Sequence, residues 1–90
     1  MDINQLINIM QKKIQDNINV TELKIEDKSF LHKKHKNFSS DKFHIKIKIK
    51  SNELNNFSKI EATRKLHSLL KTEIKNNIHS LEILFINFIF

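Results

Sequence analysis

No cysteine occurs among the 90 residues of this chain, which excludes a disulfide framework, a thiolate nucleophile and a zinc site of the cysteine type. Histidine is left as the soft metal donor. Glycine, proline and tryptophan are absent as well, and with heavy use of Lys, Asn and Ile this is the compositional drift expected of an AT-rich genome. It says nothing about function.

A long apolar run is also missing. The C-terminal LEILFINFIF is interrupted by Glu82 and Asn87 and falls short of the roughly 20 residues that span a bilayer. The opening MDINQLINIM lacks both the basic start and the apolar stretch of a secretory signal, and is not the Arg/Ser-rich pattern of a transit peptide. A cytoplasmic protein without a membrane segment is expected.

What is present fits one small domain covering residues 1–90, with residues 85–90 as an apolar tail. Hydrophobic residues make up 39% of the chain, a modest core that leaves no room for a deep enclosed active site. Any chemistry should therefore sit on the surface or be shared with a partner. Sixteen Lys and Arg against ten Asp and Glu give a net charge of +6, which favours anionic partners in general. The lysines are spread along the chain, which weakens that inference.

The spacing predicts the order αββαβ. Asp2 and Gln5 resemble a capping box, and Ile3, Leu6, Ile7, Met10 and Ile14 recur at helical spacing, giving a helix over about Ile3–Asn17. VTELKIED carries a short strand through Leu23 and Ile25. In HIKIKIKS, Ile45, Ile47 and Ile49 take one face and Lys46, Lys48 and Lys50 the other, a half-buried strand. NELNNF reads as a turn or a single helical turn. Ser58 then caps one helix to about Lys75, buried through Ala62, Leu66, Leu69, Leu70 and Ile74. Asn76 and Asn77 are expected to end it in the left-handed conformation. A last strand runs from Ile78 to about Phe85. The fold class is α+β, helices packed on one face of a small three-stranded mixed sheet.

Between the first two strands lies SFLHKKHKNFSSDK, without period and rich in Lys, His and Ser. A polar loop of this length is often functional. Read with the residues around it, the chain resembles the BolA family, whose fold is class II KH-like. EDKSFLH, ending in His32, is similar to the family's acidic, Ser-containing stretch before a loop histidine, and an H-x-x-H variant takes in His35. HIKIKIKS is similar to the family's strand that opens on histidine, placing His44 there. IHSLEI looks like the family's HAL segment, with His79 in it. The sequence departs from the family where its Gly after the second strand is Asn56, and where its Arg-His-Arg reads Ala62, Thr63, Arg64.

The resemblance implies a protein that pairs with a monothiol glutaredoxin and shares a 2Fe-2S cluster with it. His79 is the implied ligand together with His32, or with His35 in place of His32. His44 is expected to be structural or to line the site, and His67, mid-helix, to be exposed or structural. Imidazole replaces thiolate on one iron in Rieske centres, so such ligation is chemically sound. With no cysteine in the chain, the other iron's thiolates must come from outside, for which the family's answer is a glutaredoxin cysteine and a bound glutathione. An open half-site suits cluster delivery, assembly or sensing, and no enzymatic turnover is expected.

Other readings stay open beside it. Lys33, Lys34, Lys36, Lys46, Lys48 and Arg64 offer a basic surface for weak, salt-dependent DNA binding of the kind a BolA-type transcriptional regulator would use. Without glycine, however, the Gly-x-x-Gly loop of KH recognition cannot be built. His32, His35 and His79 taking zinc directly, with no fourth obvious ligand, would form a labile site. A homodimer is the remaining open partner.

Overall fold

The first element is set by its cap. Asp2 accepts the backbone N–H of Gln5 and the Gln5 side chain accepts that of Asp2, a complete capping box that starts helix α1, Ile3–Asn17. Leu6, Met10 and Ile14 repeat every four residues and are fully buried, so α1 lies with that stripe on the core. The computed structural model describes residues 2–29 and 42–86.

Strands β1 (Glu22–Asp27) and β2 (Phe43–Lys50) pair antiparallel, with Leu23 opposite Ile49 and Ile25 opposite Ile47. A short 3-10 turn at Leu54–Asn56 leads to α2 (Lys59–Leu69), capped by Ser58 and Glu61 in a second capping box. Helix α3 (Lys71–Asn77) follows, and β3 (Ile78–Phe85) then joins the sheet parallel to β2. Parallel neighbours need a crossover connection, which α2 and α3 supply. The sheet order is β1-β2-β3, the expected α+β arrangement. Ile86 adds one further ladder bond by donating to the Ile49 carbonyl at 2.8 Å; the remainder of the apolar tail lies outside the described residues.

Burial follows the alternation. Ile45, Ile47 and Ile49 are at most 2% exposed and join Leu6, Met10, Ile14, Ala62, Leu66 and Leu70 in one core. All described helices thus cover the same face, and each of the Leu, Ile and Met side chains contributes roughly 1.5–3 kcal/mol by leaving water. The opposite face carries Lys46, Lys48 and Lys50 and has no described helix over it. No described helix is long and apolar enough to cross a membrane.

Two local expectations are corrected. The single helix from Ser58 to Lys75 is broken at Leu70, whose φ of −101° and ψ of 19° leave the helical region. Its N–H still reaches the Leu66 carbonyl and its own carbonyl still accepts from Ile74, so Leu70 keeps one helical bond on each side of the break. The apolar stripe is the same for a straight and a bent helix, so periodicity could not separate them. The bend brings Glu73, 6% exposed, against α1, where Lys13 Nζ donates to both carboxylate oxygens at 3.0 and 2.8 Å. Nor does a left-handed residue end the helix: no described residue has positive φ, and Ile78 (φ −116°, ψ 125°) carries α3 straight into β3.

Candidate functional site

The three strands do not keep one register throughout. Phe43 faces Ile78 and His44 faces Ser80, so β3 takes two steps where β2 takes one, and His79 is the extra residue. In an unbroken strand His79 would point to the face opposite Ser80. An extra residue of this kind re-aims a side chain and is rare between parallel strands. Here it places the imidazole of His79 beside that of His44, with ring centroids 4.8 Å apart and planes inclined by 54°.

His44 is the fixed member of the pair. Only 7% exposed, it has its Nδ1 at 2.8 Å from Ser80 Oγ. Its backbone N–H donates to Ser29 Oγ at 3.1 Å, and its carbonyl accepts from Lys28 N–H at 2.7 Å. Ser29 is itself held by a turn in which its N–H donates to Asp27 Oδ1 at 2.9 Å, the side-chain turn that Asp forms two residues ahead. His79 is the exposed member, and its ring meets solvent with His44 behind it.

The chemistry of this pair is that of two imidazole donors of unequal freedom. Among the described residues no group of three or more His, Asp or Glu converges to hold a metal, so these residues do not by themselves form the closed four-ligand shell of structural zinc. An exposed imidazole beside a second, hydrogen-bonded ring leaves one nitrogen donor open to solvent.

The sequence-predicted residues separate accordingly. His79 is in the site; His32 and His35, like Lys33, Lys34 and Lys36, lie outside the described residues. His44, expected to be structural or to line the site, is the neighbour of His79. His67 is exposed in the last turn of α2. Ser29 enters the sequence reading only as the serine of EDKSFLH, although the Asp27-x-Ser29 spacing is a side-chain turn signal, and Ser80, which alternates with Glu82 on the polar face, is a site residue the sequence reading misses.

On that face the charges are largely matched. Lys46 meets Glu82 at 4.0 Å and Lys48 meets Glu26 at 3.5 Å, while Glu26 also has Lys24 at 3.4 Å and Lys28 at 3.8 Å. Partial burial pushes the Glu26 carboxyl up, but the ammonium groups of Lys28, Lys48 and Lys24 outweigh it and hold the group below the usual carboxylate range. Arg64 is exposed on α2, across the sheet from Lys46 and Lys48, so the structure does not bring these three together.

Helices on one face of a small mixed sheet, with a histidine pair at the end of its central strand, define an α+β domain with an open imidazole site. The chain belongs to the BolA-like family, described as "BolA-like protein", which it matches over residues 14–86. It is similar to the BolA domain of SufE1 from Arabidopsis thaliana, 26% identical with a TM-score of 0.74, over 87% of this chain and 86% of that one. It is likewise similar to BolA1 from Arabidopsis thaliana, 26% identical with a TM-score of 0.76, over 89% and 88% of the two chains. A bol-like protein from Babesia bovis shares the fold at 15% identity and a TM-score of 0.68, over 88% and 80% of the two chains. No curated protein matches the sequence.

Proposed function

We propose that this BolA-like chain is the histidine-donating half of a complex with a monothiol glutaredoxin, sharing a 2Fe-2S cluster in cluster assembly, transfer or iron-redox regulation. The observation that carries the reading is the irregular step at His79, which turns an exposed imidazole onto the same side as the buried, hydrogen-bonded ring of His44. The cluster is cargo, held between the two proteins; neutral imidazole is a known ligand to one iron of such a cluster. Within this chain His79 supplies the donor, with His32 or His35 as the second, and His44 holds the His79 ring from behind. The thiolates come from the glutaredoxin cysteine and glutathione, because this chain has none.

A DNA-binding regulator is the weaker alternative. Lys46 and Lys48 already have carboxylate partners, and Arg64 faces away from them, so no continuous cationic track supports it among the described residues.

The test is a titration of a cluster-loaded monothiol glutaredoxin with this protein, followed by visible absorption and circular dichroism. The reading predicts a spectral change with the wild type that disappears with His79→Ala. No change with the wild type would overturn it.

A further inference from the structure

Away from the histidines, a groove of about 290 Å³ opens between the 3-10 turn, the start of α2 and the end of β3. Its lining is mixed, apolar at Ile49, Leu54, Ala62, Leu84, Phe85 and Ile86 and polar at Ser51, Asn55 and Lys59. Phe57 and Leu84, two of the three exposed large apolar side chains among the described residues, also line it, at 40% and 46% exposure. Exposed apolar surface gathered around a concavity marks a place where another molecule docks. The Phe57 ring is a settled wall, with Lys65 Nζ 5.2 Å from its centroid and Lys65 in turn paired with Glu53 at 3.4 Å.

The charge in the groove is one-signed. Lys59 is the sole charged residue among its described lining; it is exposed and has no carboxylate partner among the described residues. It sits at the first position of α2, whose positive end is already met by the Glu61 carboxylate accepting the Ser58 N–H at 3.1 Å, so Lys59 itself carries the groove's charge. The Asn55 amide lines the same groove and offers both a donor and an acceptor to a backbone.

We infer that this groove docks an acidic peptide segment of a partner protein, one large apolar side chain entering between Phe57 and Leu84 while an adjacent carboxylate meets Lys59. Charge complementarity selects this occupant: one unpaired cation next to the exposed Phe57 and Leu84 side chains matches one carboxylate beside an apolar anchor. A polyphosphate chain would need a row of cations. Anchoring side chains in desolvated pockets carry most of the affinity in such contacts, and the charge sets specificity.

The probe is a capped peptide, Asp-Glu-Leu-Phe-Glu-Asp, titrated into the full ¹⁵N- and methyl-labelled chain. Shifts are expected at Ser51, Asn55, Phe57, Lys59 and Leu84. Lys59→Glu, or Ala-Ala for Leu-Phe in the peptide, should weaken binding at least about tenfold, a change of 1.4 kcal/mol. Lys46→Glu, which alters the same charge on the open sheet face, should leave it within about twofold. Equal weakening by both lysine variants, or shifts confined to the open face, would overturn the proposal in favour of unspecific attraction to a basic chain. Absence of binding would overturn it, and nuclear Overhauser contacts from Leu84 and Ala62 methyls to Phe88 or Phe90 would then assign the groove to the chain's own end.

Discussion

His44 Nδ1 and Ser80 Oγ lie 2.8 Å apart across β2 and β3, at the point where the register between the two strands shifts. The hydroxyl thereby helps to hold the imidazole against which His79 rests.

Removing that hydroxyl should loosen the ring and little else. Ser80→Ala is expected to cost about 1 kcal/mol in urea unfolding, the usual net worth of one hydrogen bond. In ¹⁵N-resolved imidazole spectra it should shift the His44 Nδ1 signal, which loses its hydroxyl partner. Ser80→Thr keeps the hydroxyl and should restore the wild-type spectrum. An unchanged His44 signal in Ser80→Ala would refute the positioning role.

The clasp between α1 and α3 makes a second prediction. Lys13 bonds both oxygens of the buried Glu73 carboxylate, so Lys13→Met leaves that carboxylate without its partner and should destabilise by about 1–3 kcal/mol. Glu73→Gln should cost less, because a neutral amide is easier to bury than an unpaired charge. If Lys13→Met unfolds at the wild-type urea midpoint, the clasp contributes nothing.

Acid sensitivity follows from Glu26 and Glu53. Glu53 accepts the Asn19 N–H at 2.9 Å, which lowers its carboxyl most; burial works against this and Lys65 adds to it, leaving the group below its ordinary value. Glu26 is also lowered, its lysines outweighing its burial. A carboxylate depressed in the folded state stabilises the fold fully above its unfolded value of about 4.3, and the contribution is lost as pH falls through the lower folded value. Urea midpoints should therefore decline as pH falls through and below the ordinary carboxylate range. Glu53→Gln should flatten the decline; equal slopes in wild type and variant would contradict the assignment.

Most of the fold could be read from side-chain alternation. Ile45, Ile47 and Ile49 set against Lys46, Lys48 and Lys50 identified the core face of β2, and Asp2 with Gln5 located the start of α1, because both signals are local. The bend at Leu70 escaped because the stripe Ala62, Leu66, Leu69, Leu70 and Ile74 fits either helix shape. The site was half legible: resemblance selected His79, but its closeness to His44 depends on a register step between strands, a property of their pairing that neither strand's pattern records. Ser80 and Ser29 escaped for the same reason, since their partners are 36 and 15 residues away. His32 and His35 lie outside the described residues, and the choice between them rests on mutagenesis.

The central claim is that His79 ligates the shared cluster. The direct measurement is nuclear hyperfine spectroscopy of the reduced cluster in the mixed complex, with this chain alone carrying ¹⁵N-histidine. Strong ¹⁵N coupling from coordinated imidazole, reduced or lost in His79→Ala and retained in His67→Ala, is the predicted result. A coupled imidazole that persists unchanged in His79→Ala, or no ¹⁵N coupling in the wild-type complex, would contradict it.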